Sequence, residues 1–585
     1  MPLGSPRFRN KVETFLKTNG LRLDPLDFYL AVTDSDENIV AGAGLRGDVV
    51  KCVAVSDSVR EEGLSGTLVS EIIAVASARG IPNLKVYTKP ENRAVFESMG
   101  FRLIARAPLA ILMENGNGLA SYCAYLGGCR TPGKNGVIVM NANPFTYGHL
   151  CLIAEASRQV DRLFVIPVRE EGPDFSYEAR KAMITSADLP GNVTVLEGSA
   201  YTVSAATFPT YFLKNLDDAA RTQMRLDLDL FSRHIAPALG ASVRFVGSEP
   251  EDVLTAEYNR TMETVLPESG IAVSVMDRFC LSGRPVSAST VRSALREGSF
   301  RKAAEPVPSS GWMYLAAFLM ERSLLAELET PHKPGLVGPG SKGSHPDMDE
   351  DLMRKSIRTL RSSFERHFDL SDPVSTGKAV EMDVLSATSG VNTHRGAIFS
   401  QILVATAFLQ ILCGAYPADP QSLHDLPLVK IHQRNIRNFL EDRNLVSTLK
   451  ERIGALASEV APSTGSHGGR LVARYGVKGA LPMAREGYGP LFEGWLPLYR
   501  SLEGDPFRNQ KTLLRIMSEL DDTCILHRTG PARALEVKAE AEELLRRFDP
   551  EELKGMDARY SLEGVSPGGS ADMLALTILI DSLTR

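Results

Sequence analysis

The sequence predicts a multidomain chain: an α+β front section, a doubly wound parallel α/β middle section and an all-α end section. Three observations carry this. The chain has 585 residues, several times the roughly 150 of an ordinary domain. Short β-branched runs alternate with helical stretches up to about Gly298. Beyond Gly311 the strand patterns vanish and long apolar helical segments take over.

Composition sets outer limits. Apolar residues are 43% and charged residues 23%, ordinary globular usage that argues against disorder or a coiled-coil rod. A net charge of −6 leaves no broad basic surface, so neither nucleic acid nor anionic lipid is expected as a partner. The seven cysteines contain no C-x-x-C, which suits a reducing compartment and gives no zinc site. The opening MPLGSPRFRNKVETF has no signal-like apolar stretch, and the apolar run Ile402–Ala415 is too short to span a bilayer. A cytoplasmic protein without a membrane segment is the expectation.

Two stretches read as linkers. One is ENGNGLASYCAYLGGCRTPGKN, Glu114 to Asn135. The other is RKAAEPVPSS, Arg301 to Ser310, where Pro306 and Pro308 interrupt any helix. The implied domains are 1–115, 135–300 and 311–585.

In the front section, DFYLAVT, NIVAGAGL, VVKCVAV and LKVYT are strands, with a helix from about Leu64 to Arg79 and a short one ending at Gly100. VSDSVREEGLSGTL and NRAVFESMGF resemble the GCN5-related N-acetyltransferase family, with Arg60, Gly63 and Ser65 at the pyrophosphate-binding turn; Ser65 stands where that family prefers Gly or Ala. The resemblance implies the fold; no general base can be named for acetyl transfer, and CoA binding stays open.

In the middle section, VIVMN, RLFVIPV, NVTVLEG, SVRFVG and IAVSVMD are strands separated by helical segments. The first runs directly into Asn143-Pro144-Phe145-Thr146-Tyr147-Gly148-His149 and an amphipathic stretch. Such a turn puts a histidine and free N–H groups at a helix start, where phosphate binds. Near the section's end stands Val286-Ser-Ala-Ser-Thr-Val-Arg292. The pair resembles the H/T-x-G-H and I-S-x-T-x-x-R motifs of the nucleotidylyltransferase superfamily. That implies ATP binding, with His149 and Arg292 gripping phosphates, Asn143, Thr146, Gly148, Ser287 and Ser289 lining the nucleotide, and Thr290 capping the helix that carries Arg292. FSYEARKAMI, SAATFPTYFLK and RHIAPALGASVRFVGSEPEDVLTAEYN narrow the resemblance to the citrate lyase ligase family over residues 8–298. That family's reaction joins acetate to AMP from ATP and passes the acetyl group to a thiol on the citrate lyase acyl carrier. Phe208, Tyr211, Lys214 and Tyr258 are candidates for holding acetate.

The end section carries unusual interhelix loops: PHKPGLV from Pro331, GSHPDMD from Gly343, GVNTHRG from Gly390, YGVKG from Tyr475, LDDT from Leu520 with His527-Arg528, and SPGGSAD from Ser566. Basic groups beside carboxylates suit a polyphosphate with magnesium. The set resembles the triphosphoribosyl-dephospho-CoA synthase family, which joins ATP to dephospho-CoA and releases adenine. Lys333, His345, Asn392, His394, Arg528 and Ser570 are the implied nucleotide contacts, and Asp347, Asp349, Asp521, Asp522 and Asp572 the candidate magnesium ligands. The general base stays open among these carboxylates, with Asp347, Asp521 and Asp522 favoured for catalysis. Two departures stand out: Gly338 replaces an expected Asp, and Val477-Lys478-Gly479-Ala480 replaces R-G-E. Together the resemblances imply a bifunctional enzyme of citrate lyase activation. The alternatives are a scaffold docking the acyl carrier with one or both halves silent, and an adenylyltransferase making a dinucleotide cofactor.

Overall fold

The β-branched runs of the front section form a six-stranded sheet, β1 (Phe28–Thr33), β2 (Ile39–Arg46), β3 (Val49–Val55), β4 (Leu84–Thr88), β5 (Arg102–Arg106) and β6 (Ile111–Asn115), in the order β1-β2-β3-β4-β6-β5. The computed structural model describes residues 5–172, 174–201, 216–249, 253–281, 284–415, 438, 440, 444–461 and 476–585. β3 and β4 run parallel but pair only at Val49 with Lys85 and Val50 with Val86, so they diverge beyond that point.

The middle section gives a second sheet, β7 (Asn135–Met140), β8 (Arg162–Pro167), β9 (Val193–Val195), β10 (Ala241–Gly247) and β11 (Ala272–Met276). All its pairings are parallel and its order is β11-β10-β7-β8-β9. Strand order reverses at β7, and in such sheets ligands gather at that reversal. The loop leaving β7 carries the first nucleotide motif.

Glu114–Asn135 is not a linker. After Asn115 the chain forms a helix, Gly118–Cys129, whose Leu119 and Leu126 are fully buried and whose first turn donates Leu119 N–H to the Glu114 carboxylate at 3.1 Å. One hydrophobic core runs from Phe15 and Tyr87 through these leucines to Val137, Phe164 and Leu226. Burying the leucines outweighs the helix cost of Gly127 and Gly128, about 1 kcal/mol each.

By its contacts the chain divides into two compact units, Met1–Asn141 with Leu150–Tyr177 and Leu189–Phe279, and Ala142–His149 with Glu178–Asp188 and Cys280–Arg585. The second unit is helical: α1 (Ala288–Arg296), α2 (Phe300–Ala304), α3 (Ser309–Leu328), α4 (Glu350–His367), α5 (Pro373–Ala387), α6 (Arg395–Ala415) and α7 (Leu445–Glu459) come first. They are followed by α8 (Ala480–Arg485), α9 (Leu496–Ser501), α10 (Arg508–Glu519), α11 (Thr523–Arg546), α12 (Pro550–Glu563) and α13 (Gly568–Thr584).

Arg301–Ser310 is also not a linker. Pro308 does break the helix, but the segment is packed: Phe300 is fully buried with its ring edge-on to Phe408 at 4.8 Å, and Val307 is fully buried, its carbonyl accepting from Trp312 Nε1 at 3.1 Å. Sequence composition marked the break and missed the burial. The apolar run ending at Ala415 likewise extends back to Arg395. This 21-residue helix is long and apolar enough to cross a membrane by length and composition, and 72% of that stretch is buried inside the protein, against α3, α5, α7 and α13. It is a core helix.

Candidate active sites

The two nucleotide motifs of the ligase section meet. A Cβ on Gly148 would lie 3.4 Å from the Val286 carbonyl, an ordinary contact distance, so the two motifs stand side by side. Tyr147 N–H donates to the Pro306 carbonyl at 2.9 Å, tying the first motif to the α2–α3 junction. His149 Nδ1 lies 3.1 Å from Thr146 N and 2.8 Å from Thr146 Oγ1. An amide can only donate, so Nδ1 accepts and the ring proton sits on Nε2, a donor suited to a phosphate oxygen. Arg292 Nη1 donates to the Asn143 carbonyl, which brings the guanidinium back to the first motif. Asn143 Oδ1 is buried without a hydrogen-bond partner. Ser287, not Thr290, caps α1: its Oγ accepts from Ser289 N at 3.2 Å and lies 2.6 Å from Ser289 Oγ, because its extended backbone aims the side chain at the first free N–H groups.

The acetate candidates do not gain support. Phe208, Tyr211 and Lys214 lie outside the described residues. Tyr258 is fixed in the first unit's core, donating to Asp227 and accepting from Arg244 Nη2 at 3.2 Å.

In the helical unit a cavity of about 780 Å³ is walled by Glu327, His345, Asn392, His394, Asp521, Asp522, Arg528 and Asp572, among others. The starts of α6, α11 and α13 are among the helix starts that face it; their dipoles favour anions, and the carboxylates of Asp572 and Asp522 already accept from backbone N–H groups there. Its cations are Lys378, Arg395, Lys478, Arg485 and Arg528; its apolar wall includes Leu324, Leu336, Phe399 and Met483. This mixture suits a triphosphate beside a partly apolar nucleotide or pantetheine arm.

Several expected contacts are turned inward instead. Lys333 is off the wall and 2% exposed, its Nζ ion-paired with Glu327; burial pulls its pKa down. Ser570 is fully buried, and its N–H and Oγ both donate to Asp522 Oδ2, at 2.7 and 2.9 Å. Asp522 Oδ1 caps α11 through Cys524 N at 2.9 Å and Ile525 N at 3.4 Å, so both of its oxygens are occupied. Burial nonetheless raises the Asp522 pKa. His345 Nδ1 accepts from Arg528 Nη2 at 2.9 Å, leaving Nε2–H to donate to Ser566 Oγ at 2.8 Å, so both ring nitrogens are satisfied within the protein.

The magnesium set is scattered. Asp349 caps α4, accepting from Leu352 N at 3.0 Å, and Asp347 is exposed; neither lines the cavity. Asp521 pairs with Lys538 at 2.5 Å. Asp572 accepts from Ala397 N–H, and its pKa is raised well above the usual range by burial, then by the charges of Asp522 and Glu327. A Cβ on Gly396 would lie 2.0 Å from Asp572 Oδ2, so only glycine admits that carboxylate at the start of α6. Among the described residues no three Asp, Glu, His or Cys side chains converge as a metal cage.

His394 is the wall residue with a spare valence. It is 4% exposed; Nδ1 lies 2.7 Å from Ser356 Oγ, which is also 2.7 Å from Thr393 Oγ1, and Nε2 is buried with no partner. Burial, then the Lys333 charge, pull its pKa down to about 4.

Sequence reasoning missed Glu327, Lys378, Glu381 and Arg485, which sit inside helices where no glycine-rich loop advertises them. The departures are also explained locally. A Cβ at Gly338 would lie 3.3 Å from the Thr330 carbonyl and 3.7 Å from Lys333 Cε, and Lys333 takes Glu327 as its acid. Lys478 keeps a cation on the cavity wall, paired with Glu486 at 2.8 Å.

The citrate lyase ligase C-terminal domain family matches residues 135–315, and the ATP:dephospho-CoA triphosphoribosyl transferase family matches residues 313–585. The citrate (pro-3S)-lyase ligase of Haemophilus influenzae is 40% identical over 52% of this chain and 94% of its own length; that of Escherichia coli is 39% identical over 53% and 90%. A 2-(5''-triphosphoribosyl)-3'-dephosphocoenzyme-A synthase of Stutzerimonas stutzeri is 31% identical over 46% of this chain and 91% of its own length. The chain therefore belongs to both families, a citrate lyase ligase followed by a triphosphoribosyl-dephospho-CoA synthase.

Proposed function

We propose that the chain is a bifunctional enzyme of citrate lyase activation that uses ATP in two different ways. The ligase section adenylates acetate: a carboxylate oxygen attacks the α-phosphorus, diphosphate leaves, and the acetyl group passes from AMP to the thiol of the prosthetic group on the acyl carrier. A free carboxylate does not acylate a thiol directly, so activation comes first. His149 Nε2–H and Arg292 supply positive electrostatics where charge develops on the phosphates, with Ser287 and Ser289 as further donors.

The helical section joins the 2′-hydroxyl of dephospho-CoA to the anomeric carbon of the ATP ribose and releases adenine. Arg395, Lys378, Lys478 and Arg528 offset the triphosphate, and the apolar wall takes the remainder of the ligands. Magnesium on a triphosphate needs only one or two protein carboxylates; Asp521 and Asp572, both on the wall, are the ones available, and the ion would supply charge neutralisation. The seven free thiols suit a reducing, cytoplasmic setting.

The observation that carries this reading is the separation of the two sets: the ligase motifs meet at Gly148 and Val286, while the cavity is walled entirely by residues from Leu324 onward. The test is to supply ATP with acetate and the thiol-bearing acyl carrier, or ATP with dephospho-CoA. AMP is expected only in the first mixture and adenine only in the second. One activity without the other would reduce the chain to a half-active scaffold.

A further inference from the structure

A displacement at an anomeric carbon by a hydroxyl needs a group to take the hydroxyl proton, and the carboxylates of the cavity are badly placed for it. Asp347 and Asp349 are off the wall, Glu327 is ion-paired with Lys333, and Glu381 is ion-paired with Arg395 at 2.8 Å. Asp521 is held by Lys538, and the two oxygens of Asp522 already accept four hydrogen bonds. Asp572 receives the Ala397 N–H and lies in the field of two further carboxylates, which weakens it as a carrier of negative charge.

The geometry points to His394 as the general base of the adenine-releasing reaction, its Nε2 accepting the proton of the attacking 2′-hydroxyl. This rests on the reading of the helical section given above. His394 lines the cavity and its Nε2 is buried without a partner, and a polar atom left bare inside a protein costs free energy unless a ligand satisfies it. The opposite nitrogen is anchored, Nδ1 lying 2.7 Å from Ser356 Oγ and Ser356 Oγ 2.7 Å from Thr393 Oγ1; in the tautomer this role requires, Nδ1–H donates to Ser356, Ser356 donates to Thr393, and the lone pair is left on Nε2. Ser356 and Thr393 are positioning residues that fix the tautomer.

The step balances without an added reagent beyond water. The hydroxyl oxygen bonds to the ribose anomeric carbon as the carbon–nitrogen bond to adenine breaks; the bonding pair passes into the purine, which takes a proton from water, the hydroxyl proton goes to Nε2, and the imidazolium then returns it to the hydroxide left from that water. Burial and Lys333 keep the imidazole neutral, so the lone pair is available at neutral pH. The negative triphosphate then favours the imidazolium that the step creates.

The experiment compares wild type with His394→Asn, which keeps an N–H donor for Ser356 Oγ but has no basic nitrogen, using ATP and dephospho-CoA as substrates and adenine as the readout. A fall in kcat of ~10²–10³, with KM for ATP within about threefold, is expected. His394→Ala should be equally slow and should regain about tenfold on adding imidazole, a response that a packing role does not give. An Asn variant that keeps kcat within threefold, or an Ala variant of intact helicity that imidazole leaves unchanged, overturns the assignment. If either variant unfolds, Ser356→Ala decides: a kcat loss of about tenfold at constant KM supports the relay, and none rejects it. Wild type that releases no adenine sinks the functional reading instead, and the two failures are thereby told apart.

Discussion

The ligase motifs and the helical cavity make opposite use of their polar residues. In the ligase motifs the conspicuous side chains stay on half-exposed turns: Ser289 is exposed, and His149 and Arg292 are intermediate. In the helical unit the conspicuous side chains hold one another. Lys333 is 2% exposed on Glu327, Ser570 is spent on Asp522, and His345 joins Arg528 to Ser566. A motif on a strand-to-helix turn thus leaves its side chains half-exposed, whereas a motif between packed helices also marks the framework that shapes the cavity.

The largest expected effect cuts across both regions. Phe300 follows the second ligase motif and is buried in the helical unit against Phe408. Phe300→Ala should destabilise that unit by about 4 kcal/mol, lowering the urea midpoint and both activities together on warming. If AMP formation and adenine release decline at different temperatures, the two sites do not share this core.

Next in size, His149→Ala should reduce acetate-dependent AMP formation by ~10²–10³ while adenine release continues. Equal loss of both products would make the histidine structural.

The third effect separates the regions by pH. His394 has a folded pKa of about 4 against 6.5 in the unfolded chain. A depressed histidine leaves the unfolded state binding the extra proton, so stability is full above 6.5, falls as pH drops toward 4 and is then level. The contribution is about 3 kcal/mol at most. Comparing wild type with His394→Asn by urea denaturation at pH 7 and pH 4.5 should show the variant losing less stability on acidification. Parallel losses would mean that the imidazole titrates normally.

The smallest effect is expected at Asp347, which lies off the cavity. Asp347→Asn should follow the wild-type magnesium dependence of adenine release within about twofold, whereas Asp572→Asn should not. A raised magnesium requirement for Asp347→Asn would restore it as a ligand.

The parallel sheet was legible because its strands are short β-branched runs at regular spacing, and its strand-order reversal falls on the motif that resemblance had already marked. The helical unit was legible by period alone. Burial was not. Nothing local distinguishes Glu114–Asn135 or Arg301–Ser310 from a linker, because the leucines and phenylalanine that pin them find their partners far along the chain, Phe300 at Phe408. The inward turn of Lys333 and Ser570 has the same cause: spacing tells which residues gather, and only packing tells which of them face the ligand.

The hydrogen bond from Tyr147 to Pro306 carries a consequence for biosynthesis. During translation the histidine turn leaves the ribosome about 160 residues before its backbone partner is made. At ordinary elongation rates that interval is on the order of ten to thirty seconds, and throughout it the nascent ligase motif lacks both this tether and Val286. The emerging chain therefore carries an untethered histidine turn until the first helices of the helical section are synthesised.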